Sequence, residues 1–229
     1  DKGQVAAIYK VGQLFETGEG VSMNKSEAFR YYKMAHNKGF IEATFKVAQM
    51  LDYGEGVSMN KSEAVNYYKI AADNGNSLAL WIYCHKLEYG EGCSMNKQEA
   101  FRYYKKLADA GDTEAMNTCG WMLESGIGVQ QDMNKAYQIY KEAADKGDRN
   151  ANYKIGRILD FGQLGQINRY EAFKYYKKAY LMGLKSALYI MKNVDCKEYF
   201  GLKPGDASGI DCTDEMSEFS AKYYIERYL

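Results

Sequence analysis

Few side chains in this 229-residue chain could do chemistry: two histidines, His36 and His85, and five cysteines, Cys84, Cys93, Cys119, Cys196 and Cys212. A catalytic imidazole needs a nucleophile or acid within reach, and a zinc site needs ligands at short, fixed spacings. Neither histidine lies in such a motif, no CxxC occurs, and an odd cysteine count leaves any disulfide framework incomplete. The cysteines therefore read as free thiols of a reducing compartment. That makes a cytoplasmic location the expectation, although a preceding segment would change it. No cofactor, metal or catalytic residue is expected.

A third set of groups differs from these because it repeats. Glu16, Asp52, Glu88, Glu124 and Asp160 stand 36 residues apart. Each falls near the C-terminal end of a short helical segment, where the helix dipole disfavours a negative charge by about 0.3 to 1 kcal/mol. Lysines or a ligand could neutralise this acidic column, or it could be a solvated face. The spacing alone leaves these readings open.

The elements that position the acids repeat with them. GEGVSMNKSEA stands at 18–28 and again at 54–64, and GEGCSMNKQEA at 90–100. Glycine recurs at 39, 75, 111, 147 and 183, alanine at 7, 43, 79, 115, 151 and 187, and tyrosine at 32, 68, 104, 140 and 176. Each unit reads as two helices. Asn24, Asn60, Asn96 and Asn168 are placed to cap the second helix, with a glutamate three residues later as in a capping box. In the fourth unit Asp132 takes the cap and Lys135 replaces the glutamate, so a reciprocal bond is lost there.

Ala7, Val11 and Phe15, with Ala43, Val47 and Leu51 after them, form apolar stripes that a lone helical pair cannot bury. Stacking is then required. The fold class is all-α: a right-handed superhelical α-solenoid of helix–turn–helix repeats with a period of 36 residues and no sheet. About twelve helices are expected, in six pairs starting near 5, 41, 77, 113, 149 and 185. Ala79 and Ala115 should be buried where helices approach closely.

The pattern A…VG..F..GEGV..N..EAF.YY..A...G, read across residues 4 to 184, resembles the Sel-one-like repeat family, relatives of tetratricopeptide repeats. It differs from the tetratricopeptides in its 36-residue period and its G-x-G-V turn. The resemblance implies an interaction scaffold or adaptor for protein partners. Residues 1–3 read as the tail of a preceding repeat, the expectation being either a fragment of a longer array or a chain from which an upstream domain has been removed. Residues 185–229 read as a degenerate sixth repeat with a long loop at 201–212, serving as a C-terminal cap.

Carried over from the tetratricopeptide pattern, the first helix of each unit lines a concave groove. The implied protein-binding residues are Tyr9, Phe45, Trp81 and Tyr153 in one column, and Gln13, Gln49, His85, Trp121 and Arg157 in a second. Tyr53 and Tyr89 come from a third column, and the acids Glu16, Asp52, Glu88, Glu124 and Asp160 complete the set. Aromatics beside polar groups suit protein recognition, although such rings could also pack between helices. The expected occupant is a peptide segment with basic and apolar residues.

Thirty basic and thirty acidic residues give no net charge, which argues against nucleic acid, and no apolar run is long enough for membrane insertion. A structural spacer or regulatory subunit in a larger assembly is the competing class. Cysteine-rich members of the family imply a further one, β-lactam binding. Here Ala35, Ala71, Ala143 and Ala179 stand where their paired cysteines would.

Overall fold

A computed structural model describes residues 2–193 and contains eleven helices and no strand among them. The first helices of the repeats are α1 (Lys2–Thr17), α3 (Ile41–Tyr53), α5 (Ser77–Tyr89), α7 (Thr113–Ser125), α9 (Arg149–Asp160) and α11 (Lys185–Asn193). The second helices are α2 (Lys25–Asn37), α4 (Lys61–Asp73), α6 (Lys97–Asp109), α8 (Met133–Asp145) and α10 (Arg169–Leu181). The architecture is therefore an all-α solenoid of two-helix repeats. The expected loop at 201–212, the cap and the twelfth helix lie outside the described residues. α1 runs through Lys2 and Gly3, so Gly3 is helical where Gly39, Gly75 and Gly111 have positive φ.

Local chemistry sets each helix boundary. The side chains of Asn24, Asn60, Asn96 and Asn168 accept a hydrogen bond from the backbone N–H three residues on, and Asp132 does the same for α8. The reciprocal half of the capping box is replaced. The backbone N–H of Asn24, Asn60, Asn96 and Asn168 instead donates to Phe15, Leu51, Leu87 and Leu159, carbonyls at the end of the preceding helix. One residue thus starts the second helix and closes the turn onto the first. Gly54, Gly90 and Gly126 end α3, α5 and α7 in the left-handed region, which glycine enters without a Cβ penalty.

The chain divides into two compact units, residues 1–131 and 132–229. In the first, α1 packs on α2, α2 on α3, and so on to α7; in the second, α8 packs on α9, α9 on α10, and α10 on α11. Ala28, Tyr32 and Ala35 are fully buried, as are Ala64, Tyr68 and Ala71 at the same positions of the next repeat. Ala79 and Ala115 are fully buried too. Small side chains in these columns let helices approach, and the tyrosine fills the space beside them. A Cβ on Gly12 would lie 2.7 Å from the Tyr32 ring, and one on Gly156 would lie 2.7 Å from the Tyr176 ring. Those helical glycines make room for the ring.

Candidate functional site

Four of the five acids in the repeating column are engaged by the protein itself. Glu16 accepts a hydrogen bond from the Tyr32 hydroxyl, Asp52 from Tyr68 (3.4 Å), Glu88 from Tyr104 (3.0 Å) and Asp160 from Tyr176 (3.3 Å). The donor in each case is the invariant ring of the same repeat's second helix. Asp52 and Glu88 retain only 5% and 9% of their surface. Of the three open readings, neutralisation from within describes these acids, but tyrosine hydroxyls share the task with lysines. Lys46 reaches Glu16 at 2.9 Å, and Lys86 reaches Asp52 at 2.9 Å and Glu91 at 3.0 Å.

Lys86 was not singled out by the sequence analysis, although a signal existed. Its column otherwise holds Leu14, Met50, Met122 and Ile158, so it is the one charge in an apolar set. Burial opposes the ammonium charge, but Asp52 and Glu91 outweigh it and hold the Lys86 pKa above its ordinary value.

The hydroxyls of Tyr32, Tyr68 and Tyr104 have pKa values well above 10.0, first through burial and then through the facing carboxylate. A pKa raised on folding means that the native state holds its protons longer than the unfolded chain does. Its contribution is whole below about pH 10, the unfolded value, and is lost as pH rises toward the folded value. Helical circular dichroism should therefore fall above pH 10 together with a late rise in tyrosinate absorbance. Full tyrosine titration near pH 10 with the helices intact would refute the buried tyrosine–carboxylate pairing.

The first aromatic column is largely internal as well. Tyr9 packs on Tyr32, Phe45 on Tyr68, Trp81 on Tyr104 and Tyr153 on Tyr176, with centroids 5.3, 6.0, 5.4 and 5.7 Å apart. These four rings keep only part of their surface exposed. The Trp81 indole N–H also donates to Asp112, the N-cap of α7, at 3.0 Å, tying repeat three to repeat four.

The remaining columns face outward. In the first unit Tyr53 is 68% exposed, Tyr89 61% and Trp121 38%, and His85 is exposed with its ring 4.4 Å from that of Tyr89. Gln13, Gln49 and Glu124 are half-buried. In the second unit Arg157 and Asp160 are half-buried, and the Arg157 guanidinium lies 5.9 Å from the centre of the exposed Phe161 ring. Side-chain bridges between first helices, Lys46 to Glu16 and Lys86 to Asp52, hold neighbouring repeats in register. The first unit therefore presents Tyr53, His85, Tyr89 and Trp121 from three successive first helices. Met23, Met59 and Met95 add exposed apolar groups from the three repeated turns, a column the sequence analysis passed over.

The other chemically capable groups are structural. Burial raises the Cys84 thiol pKa and carries that of Cys119 up to about 12, so both stay protonated and poorly nucleophilic. Burial, and then Lys33, lowers the His36 pKa; its Nδ1 pairs with the Thr44 hydroxyl at 2.8 Å. Among the described residues no cluster of histidine, cysteine, aspartate or glutamate could hold a metal ion. No described helix is long and apolar enough to cross a membrane.

Stacked helical pairs with constant cores and outward residues that vary define a class: a repeat-built α-solenoid. The Sel1 repeat model matches residues 5–40, 41–76, 77–112, 113–148 and 149–184, and the chain belongs to that family. Sel1-repeat proteins are generally non-catalytic scaffolds for protein interaction.

Among solved structures, the chain is similar to c5321, a protective antigen of uropathogenic Escherichia coli with an SLR fold. The identity is 24% and the TM-score 0.74, over 98% of this chain and 46% of that one. This chain thus spans about half the length of the antigen. It is also similar to a Sel1 repeat protein from Oxalobacter formigenes, with 29% identity and a TM-score of 0.63, over 88% of this chain and 82% of the other. No curated protein matches.

Proposed function

We propose that the chain is a protein-interaction module whose first unit holds a partner segment along the face formed by α3, α5 and α7. The observation that carries this reading is the exposure of Tyr53, Tyr89 and Trp121 at positions that vary from repeat to repeat over an unvarying core. Large rings of this kind supply apolar contact at low entropic cost and dominate binding energy at interfaces. Tyr9, Phe45 and Trp81 support that surface from behind. Asp52 and Glu88 act in the same way, because their charges are already met by Tyr68, Lys86 and Tyr104. The preferred segment is therefore more apolar and less basic than the acid column by itself suggests. A cytoplasmic setting and a protein rather than nucleic-acid partner complete the proposal; the neutral net charge supports the latter.

The test compares the intact chain with a Tyr89→Ala/Trp121→Ala variant in quantitative capture from a lysate, followed by calorimetry with the purified partner. Both rings are exposed, so the fold should survive. Binding should weaken by at least about 2 kcal/mol, roughly thirtyfold. Unchanged affinity with native circular dichroism would leave the spacer reading in its place.

A further inference from the structure

The turn between the two helices ends in Met23–Asn24, Met59–Asn60 and Met95–Asn96 in the first three repeats. The asparagine is fixed, since its side chain caps the second helix and its backbone N–H holds the Phe15, Leu51 or Leu87 carbonyl. The methionine before it sits against the glycine that ends the first helix. A Cβ on Gly54 would lie 3.2 Å from that of Met59, and one on Gly90 would lie 3.4 Å from that of Met95. Tyr53 and Tyr89 immediately precede those glycines, so an exposed ring and a methionine start from the same corner of each repeat. Met23, Met59 and Met95 are 64%, 62% and 62% exposed, whereas Met50, Met116 and Met122 are buried. In the fourth repeat Gln131 takes the place and donates to the Glu124 carbonyl at 2.8 Å, a service to the fold for which a thioether has no donor.

Exposure decides which sulfur reacts. A thioether is oxidised by peroxide as it stands, while a thiol reacts as its thiolate. Cys84 and Cys119 are buried, and burial raises the thiol pKa of both and of the half-buried Cys93. Met34 and Met182 follow the turn methionines at 40% exposure each, and the Met182 sulfur already meets the Asn152 amide nitrogen at 3.8 Å. Met23, Met59 and Met95 are therefore the most exposed sulfur-bearing residues among those described.

We propose that Met59 and Met95 are a reversible oxidation site that regulates the first-helix face, hydrogen peroxide turning their thioethers into sulfoxides and so releasing a partner segment held beside them at Tyr53 and Tyr89. This deepens the reading proposed above and rests on it. The sulfur lone pair attacks one peroxide oxygen, and an S–O bond forms as the O–O bond breaks. The departing hydroxide takes the proton of the transferred oxygen and leaves as water; sulfur loses two electrons and the peroxide gains them. The sulfoxide adds a strong acceptor that favours water over burial against an apolar segment. Because these side chains stand in solvent, oxidation acts on binding and spares the fold. Met23 follows Thr17 at the end of α1, outside the face of α3, α5 and α7, so its oxidation should have no such consequence.

The probe is a phage-displayed library of random linear dodecapeptides, selected on the intact reduced chain; an enriched peptide is then measured by calorimetry. Peroxide should oxidise Met23, Met59 and Met95 before any buried methionine, as read by peptide mass mapping, with helical circular dichroism unchanged. Affinity should then fall roughly tenfold, the size of one lost apolar anchor, and a methionine sulfoxide reductase should restore it. Met59→Leu/Met95→Leu keeps the apolar volume, so it should bind as the wild type does and resist peroxide. Met23→Leu should remain sensitive.

Undiminished affinity after full oxidation of Met59 and Met95 would overturn this inference, as would equal peroxide sensitivity in Met59→Leu/Met95→Leu. In either case a Tyr89→Ala/Trp121→Ala variant that no longer binds the peptide leaves the first-helix face as the site. If that variant binds normally, or if no peptide is enriched, this inference falls together with the first-helix reading.

Discussion

Gly56→Ala is expected to destabilise the array by about 3 kcal/mol or more, whereas Gly20→Ala, the same change in the same turn one repeat earlier, should cost about 1 kcal/mol. Both glycines have positive φ, +69° and +74°, so a side chain strains the backbone equally at each. Their surroundings differ. A Cβ on Gly56 would lie 2.3 Å from the carbonyl carbon of Lys25 and 2.4 Å from its oxygen, while one on Gly20 would meet nothing within 4 Å. The turn of the second repeat sits directly on the first residue of α2, where Ser26 donates to the Gly56 carbonyl at 2.8 Å and Lys25 meets Glu55 at 3.2 Å. Backbone cannot yield as a flexible side chain can, so the repeats would have to separate. Gly92 and Gly128 repeat the geometry, at 2.6 Å from the Lys61 oxygen and 2.2 Å from the Lys97 oxygen. Urea unfolding followed at the helical dichroism band measures the difference. Equal losses at Gly56 and Gly20 would show that only the left-handed conformation, and not the inter-repeat contact, requires glycine.

Lys86→Met should have the other large effect, a loss of about 3 to 5 kcal/mol, because it leaves the buried Asp52 without its cation. Methionine is what Met50 and Met122 place at that position, so the packing volume suits the site and the loss is electrostatic. The double variant Asp52→Asn/Lys86→Met should recover most of it, since an apolar pair of similar volume often matches a buried ion pair in stability. Tyr68 can still donate to the new amide. The four midpoints form a double-mutant cycle whose coupling energy isolates the pair. If the double variant is as unstable as Lys86→Met, the loss comes from packing rather than from a stranded charge. Because repeats touch only their neighbours, the damage should centre on repeats two and three.

Much of the architecture was legible because one rule is written five times. Gly54 and Gly90 ending first helices, Asn60 and Asn96 starting second ones, and fully buried Ala64 and Tyr68 are all readable from columns. Each depends on residues a few positions apart, or on a stripe whose period is that of the helix. The candidate surface was legible only in outline. The position of an outward column can be carried from repeat to repeat, but whether its side chain meets water or a neighbouring ring depends on the next repeat. Tyr53 and Trp81 illustrate this. Both are aromatic, both belong to variable columns of a first helix, and only Tyr53 is open.

By itself, then, the sequence determined the period, the helices, their caps and the small-residue columns that force stacking. Local hydrogen bonds and apolar periodicity suffice for those. Only the tertiary structure decided that Glu16, Asp52, Glu88 and Asp160 are met by Tyr32, Tyr68, Tyr104 and Tyr176, and that Lys86 is an internal cation. The tyrosine hydroxyls reach back sixteen residues to their acids, and Lys86 reaches thirty-four residues back to Asp52. Pairings at those separations are chosen by how helices pack, through burial and the need of each buried polar group for a partner, and periodicity does not encode them.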